Sequence, residues 1–148
     1  MAETTGISWA SGTCNPLIGC QKVSPGCANC YAEDYARNRL GRPELWRGER
    51  HLTSIGTWGV GRKLARAAKA DGVRRRLFCA SLSDVFEDHP AWDAALPAGY
   101  PVPAHSDPVS VRTGALLMLA ALEGVDVMLL TKRPENVRRM VPPSWLTS

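Results

Sequence analysis

Four of the five cysteines of this 148-residue chain fall within eighteen residues, Cys14 to Tyr31, and the last three are spaced C-x6-C-x2-C. Pro16, Gly19, Pro25 and Gly26 lie among them, residues that break regular structure and let a backbone curl. A helical pattern follows directly. A Pro/Gly-rich loop that gathers thiols and then feeds a helix meets the demand of a metal or iron–sulfur centre, whose ligands must converge. The spacing places Cys27 and Cys30 at one helix N-terminus, where the helix dipole favours thiolates.

The rest of the composition narrows the compartment and the class. No apolar run approaches the roughly 20 residues of a membrane span, and the first residues lack the basic-then-apolar signature of a signal peptide. The expectation is a cytoplasmic protein, where clustered cysteines bind metal more often than they pair. At 45% hydrophobic and 22% charged, 148 residues make a single domain able to bury its own core. A net charge of +4 permits nucleic acid as a partner without demanding it.

Along the chain, strand and helix patterns alternate. Gly6–Ala10 reads as a short strand, and Ala28–Leu40 as a helix with apolar residues at i, i+4, stopped by Gly41 and Pro43. Residues 42–59 lack a pattern and read as a loop or insertion. Val60–Ala70 reads as a basic helix closed by Asp71-Gly72. Arg76–Ser81 reads as a strand buried on both faces, turning polar at Ser81, Ser83 and Asp84. Four prolines make 97–108 a loop, with Asp107 as N-cap of an apolar helix that runs to Gly124. Val125–Leu130 is again an apolar strand, ending in Thr131, Lys132 and Arg133, and Pro134–Met140 is a short helix. Alternating strands and helices imply an α/β fold with parallel strands. The cysteine loop, Ser81–Asp84 and Thr131–Arg133 then share the rim that carries chemistry in such folds.

The phrases that fall on this rim resemble a known family. Ile7-Ser8-Trp9, Asn15-Pro16-x-x-Gly19-Cys20-x-Lys22-Val23-Ser24-Pro25-Gly26-Cys27-x-x-Cys30-Tyr31-Ala32-Glu33, Ser81-Leu82-Ser83-Asp84-Val85-Phe86 and Leu129-Leu130-Thr131-Lys132-Arg133-Pro134 occur in that order in the phage-associated three-Cys-motif proteins, which are similar to radical SAM enzymes. The resemblance implies a partial (β/α) barrel of about three βα units. Because members are longer, it also implies that residues 1–148 form the N-terminal part of a larger barrel. It further implies a [4Fe–4S] cluster on Cys20, Cys27 and Cys30, with one iron open for S-adenosylmethionine (SAM) and a substrate it leaves unnamed. Cys14 stands where the family has an aromatic residue, so the pattern does not extend to it.

Each site has two readings. Three thiolates on a four-iron cluster leave one position open, whereas Cys14, Cys20, Cys27 and Cys30 together would make a closed structural zinc site. The spacing lacks the paired C-x2-C knuckles usual for zinc, which favours the cluster. By resemblance Ser83 and Asp84 hold the SAM amino group; otherwise Ser81 and Ser83 satisfy turn groups and Asp84 caps a helical turn. Lys132 and Arg133 bind the SAM carboxylate or a phosphate, or they are solvated charges. The competing class is a zinc-bearing, non-enzymatic module that binds nucleic acid through Arg62, Lys63, Arg66, Lys69 and Arg74–Arg76. Cys79 reads as a core residue, and the three histidines receive no role. A short parallel sheet leaves an edge exposed, through which self-association is expected.

Overall fold

The computed structural model describes residues 6–103 and 108–147. Its centre is a three-stranded parallel sheet in the order β1 (Gly12–Cys14), β4 (Arg75–Cys79), β5 (Val125–Leu129). The register sets Cys14 beside Cys79 and Cys79 beside Leu129, so all three strands end at one rim. A second, two-stranded antiparallel sheet pairs β2 (Leu17–Ile18) with β3 (His51–Leu52). Six α-helical segments are described: α1 (Tyr31–Asn38), α2 (Ile55–Trp58), α3 (Val60–Asp71), α4 (Pro90–Asp93), α5 (Val111–Ala120) and α6 (Pro134–Met140).

The alternation of strand and helix, the parallel pairing and the shared rim agree with the sequence reading. The sheet among the described residues is open, not a barrel. The strand β5 has one partner strand, and only Val125 of its five residues is buried, so it is not covered on both faces. Leu130, just beyond it, is 60% exposed.

Several boundaries move for physical reasons. Ile7–Ala10 forms a turn closed by Ala10 N–H to the Ile7 carbonyl at 3.1 Å, and Trp9 packs on Phe78 with ring centroids 5.0 Å apart. The strand starts later, where Ser11 N–H reaches the Arg76 carbonyl at 2.7 Å. The helix expected from Ala28 begins at Tyr31, with Cys30 as its N-cap in an extended conformation. Cys27 belongs to a separate 3-10 turn, Pro25–Cys27, so the two cysteines do not share one helix terminus. Asp107 lies outside the described residues; α5 starts at Val111, where the Ser110 hydroxyl accepts Thr113 N–H at 3.1 Å.

The largest revision is to 42–59. This stretch supplies a 3-10 turn, β3 and α2, and it buries Leu45 and Trp58 completely. Trp58 Nε1 donates to the Pro16 carbonyl at 3.3 Å, and Thr53 Oγ1 donates to the Asn15 carbonyl at 2.6 Å. The segment thereby clamps the start of the cysteine loop.

The helix α3 matches its expected span and ends at Gly72 in the left-handed region. Of its buried residues Val60, Gly61, Leu64 and Ala68, Val60 and Leu64 share a core with Leu77, Cys79, Trp92 and the apolar residues of α5. Gly61 permits the close approach: a Cβ there would lie 2.7 Å from Leu122 Cδ1. Arg62, Lys63, Arg66 and Lys69 remain exposed on the outer face. No described helix is long and apolar enough to cross a membrane.

Candidate functional site

The three segments that leave the C-terminal strand ends are stitched together by side chains. Asn15, fully buried, donates through Nδ2 to Ser81 Oγ at 3.0 Å and accepts Leu82 N–H at 2.7 Å. Gly19 then bridges to Ser83, with its N–H on the Leu82 carbonyl at 3.0 Å. Gly19 has φ 121, and a Cβ there would lie 2.7 Å from the Leu45 carbonyl, so glycine alone fits this crossing. Between β4 and these bonds, Ala80 sits in the left-handed region at φ 61, which costs an alanine about 1 kcal/mol. That strained residue aims Ser81–Asp84 across the rim.

Asp84 is the hub. Its carboxylate accepts Thr131 Oγ1 at 2.8 and 2.9 Å, Lys132 N–H at 3.1 Å, Phe86 N–H at 3.0 Å and Arg133 Nη1 at 3.0 Å. Arg133 is itself buried; its Nη2 donates to the Gln21 carbonyl at 2.7 Å, and its Nη1 lies 3.5 Å from Cys20 Sγ. One guanidinium thus connects all three rim segments. Asp84 and Arg133 are thus engaged with other groups of the protein, and these contacts tie the rim segments to one another.

Two further buried arginines were not visible as site residues in the sequence. Arg50 pairs with Glu87, both almost wholly buried, and Glu87 also lies 3.8 Å from Arg133 Nη2. Arg112 donates to the carbonyls of Val85 (2.8 Å) and Glu87 and pairs with Asp93. Arg112 had a signal of a kind, being the one charged residue in the apolar run of α5. Arg50 had none, because 42–59 carries no periodicity. Together these residues fix the turn 84–88 beneath the cysteine loop.

The loop itself is exposed from Gln21 to Tyr31 except at Cys27 and Cys30, and Cys20 at its start is likewise half-buried. Its three cysteines are therefore the residues of this stretch that are half-buried. Cys14 is not among them. It is fully buried in β1, its Sγ 3.5 Å from the Thr57 carbonyl, and with burial it pushes the neighbouring Cys79 thiol well up. A four-thiolate set that includes Cys14 is not assembled. The set Cys20, Cys27 and Cys30 fits a thiolate-ligated metal by the chemistry of its donors, all three free and none of them in the core. It is open as it stands: among the described residues no three His, Cys, Asp or Glu side chains are gathered as a metal site.

The two better-characterised thiols differ. Burial raises the Cys20 pKa, opposed by the hydrogen bond from Arg133. Backbone hydrogen bonding at Val23, and then at Ser24, lowers that of Cys27. Lys22 holds the loop to α1 through Glu33 at 2.8 Å, and the Lys132 amine lies over Gly26, 3.6 Å from where a Cβ would stand. Ser83 Oγ is buried with no hydrogen-bond partner among the described residues. Beside the rim, between α1 and the β2–β3 pair, lies a cleft of about 800 Å³ that reaches Ser81 and Tyr31.

Two arginines of the proposed basic face form surface ion pairs, and Arg62, Lys63, Arg66 and Lys69 are exposed. Arg74 pairs with Asp126 and Arg75 with Asp71, at the opposite end of β4 from the cysteines.

The sequence model of a family described as "Protein of unknown function (DUF5131)" matches residues 4–96. The chain belongs to this family. The DUF5131 match takes in the cysteine loop, Arg50, Asn15 and the turn 80–88; Arg112 and Arg133 lie beyond it. No curated protein and no solved structure matches the chain.

Proposed function

We propose that this DUF5131 chain is an iron–sulfur protein of radical-SAM type, with a [4Fe–4S] cluster on Cys20, Cys27 and Cys30 and SAM at the open iron. The observation that carries this reading is the exposure pattern of the loop. Eleven consecutive residues, 21–31, face solvent apart from the two cysteines, and Cys20 precedes them half-buried. Cys30 packs beside the Ile18, Ala32, Leu45 and Leu82 cluster, whereas Cys20 and Cys27 belong to no apolar cluster among the described residues, so packing leaves their shielding without an account. When bound, such a cluster supplies one-electron chemistry.

The protein groups around the thiols suit that role. A lowered pKa at Cys27 favours the thiolate that ligation requires. The Arg133 guanidinium beside Cys20 offsets the negative charge gathered by thiolates. Ser83, with its unpartnered hydroxyl, and the exposed Lys132 are the rim groups left to meet a bound ligand, Lys132 suiting a carboxylate. Ser81 keeps a donor after accepting from Asn15. Asp84 and Arg133 support the site from below.

Anaerobic reconstitution with ferrous iron and sulfide tests the reading. The expected product is brown, absorbs broadly in the visible and holds about four irons per chain. Alanine at Cys20, Cys27 or Cys30 should abolish that content, and Cys14→Ala should leave it intact. A colourless protein that retains zinc would overturn the proposal, as would loss of iron on changing Cys14 alone in a folded protein.

A further inference from the structure

We infer that the cleft between α1 and the β2–β3 pair binds an uncharged small molecule with a flat ring and hydroxyl groups, of the nucleoside class. The inference does not depend on the metal reading. At about 800 Å³ the cleft lies within the range of small-molecule sites. Its lining has a marked bias: none of its thirteen residues is Asp, Glu, Lys or Arg, in a chain that carries 18 basic and 14 acidic side chains. A phosphate or carboxylate placed there would lose water and meet no ammonium or guanidinium among the described lining residues, where His51 is the one imidazole. The zwitterionic end of SAM is poorly matched for the same reason, so the cleft's ligand is a different molecule.

The lining is also divided by chemistry. Tyr31, Tyr35, Ile18 and Leu40 supply the apolar side, with the two tyrosine rings 6.1 Å apart and tilted by 45°. Tyr31 is 64% exposed, an aromatic face left in solvent at the mouth of the cleft. Aromatic rings in that setting stack on flat heterocycles. The other side is made of hydroxyls. Ser81 Oγ accepts from Asn15 and keeps its own proton to donate, while the Ser54 and Thr57 hydroxyls bond each other at 3.2 Å and, as a pair, retain one donor and further lone pairs for a ligand. Hydroxyls facing hydroxyls, with an aromatic wall opposite, describe a sugar joined to a base. A base carried on a strand would bring phosphates, which no ammonium or guanidinium in the lining would neutralise.

Tyr31 follows Cys30 directly and Ser81 follows the end of β4, so a molecule in the cleft rests beside the thiol loop. The test uses the full chain without metal. Adenosine, guanosine, cytidine and uridine, their 5′-monophosphates and a short single-stranded oligonucleotide are titrated by calorimetry. The expected result is saturable one-to-one binding of at least one nucleoside, with its 5′-monophosphate about tenfold weaker or worse. Tyr31→Ala, at a residue exposed enough not to threaten folding, should weaken the nucleoside by about tenfold, and Tyr31→Phe should retain most of the affinity. The inference is overturned if no nucleoside binds, if the monophosphate or the oligonucleotide binds more tightly, or if Tyr31→Ala changes nothing. Iron content is read separately, so failure here and failure of the cluster reading are distinguishable.

Discussion

Arg133 Nη1 donates to Asp84 at 3.0 Å across 49 positions of sequence, with both side chains less than a tenth exposed. This pair joins the end of β5 to the turn after β4, and the same guanidinium reaches the cysteine loop at Gln21 and Cys20. Removing one partner of a buried pair leaves a charge without compensation, which costs about 3–5 kcal/mol. Arg133→Met should lower unfolding free energy in urea by that amount, and Asp84→Leu, which also strips Thr131, Lys132 and Phe86 of their acceptor, should lower it further. A single variant within about 0.5 kcal/mol of the parent would show that the pair does not hold the rim.

The thiols should separate by reactivity in the metal-free, reduced protein. A lowered pKa means more thiolate at a given pH, so the alkylation of Cys27 should rise at lower pH than that of Cys20, which burial raises. Cys14 and Cys79, both buried, should react only on unfolding. Mass spectrometry after iodoacetamide at a series of pH values reads the order. Equal rates for Cys20 and Cys27 throughout would contradict the assignment.

Ser83 offers a test with two opposite signs. A buried hydroxyl without a partner forgoes its bonds to water, at about 1–3 kcal/mol. Ser83→Ala should therefore leave the ligand-free protein as stable as the parent, or more stable by about 1 kcal/mol. The same change should weaken SAM binding to the reconstituted protein. Clear destabilisation without ligand would mean that the hydroxyl is already satisfied.

The open sheet predicts association. The strand β5 has a partner on one side only, and Leu130 at its end is exposed. Sedimentation velocity should show mass rising with concentration, and Leu130→Lys should suppress it. A monomer at every concentration would remove the edge as an interface.

Local pattern made much of this legible. Val60–Asp71, Arg75–Cys79, Val125–Leu129 and Pro134–Met140 fall within a residue or so of their expected spans, because apolar periodicity and Pro/Gly punctuation are properties of neighbouring residues. The rim followed from the same information, since three polar segments trail three strands. The stretch 42–59 escaped because β2 and β3 are two residues each, too short to show a period, and because their pairing is written in neither strand alone.

By itself, then, the sequence determined the thiol spacing, the alternation of strands and helices, and the polar character of each strand end. Tertiary structure decided which polar groups stay available. It drew Asp84, Glu87, Arg50 and Arg133 into buried pairs, set Arg112 on the buried carbonyls of Val85 and Glu87, left Ser83 unpartnered among the described residues, and placed Cys14 in the core. Arginine and glutamate are exposed by default, and they are buried here because partners tens of residues away neutralise them. That balance depends on where the chain crosses itself, which no local pattern of residues encodes.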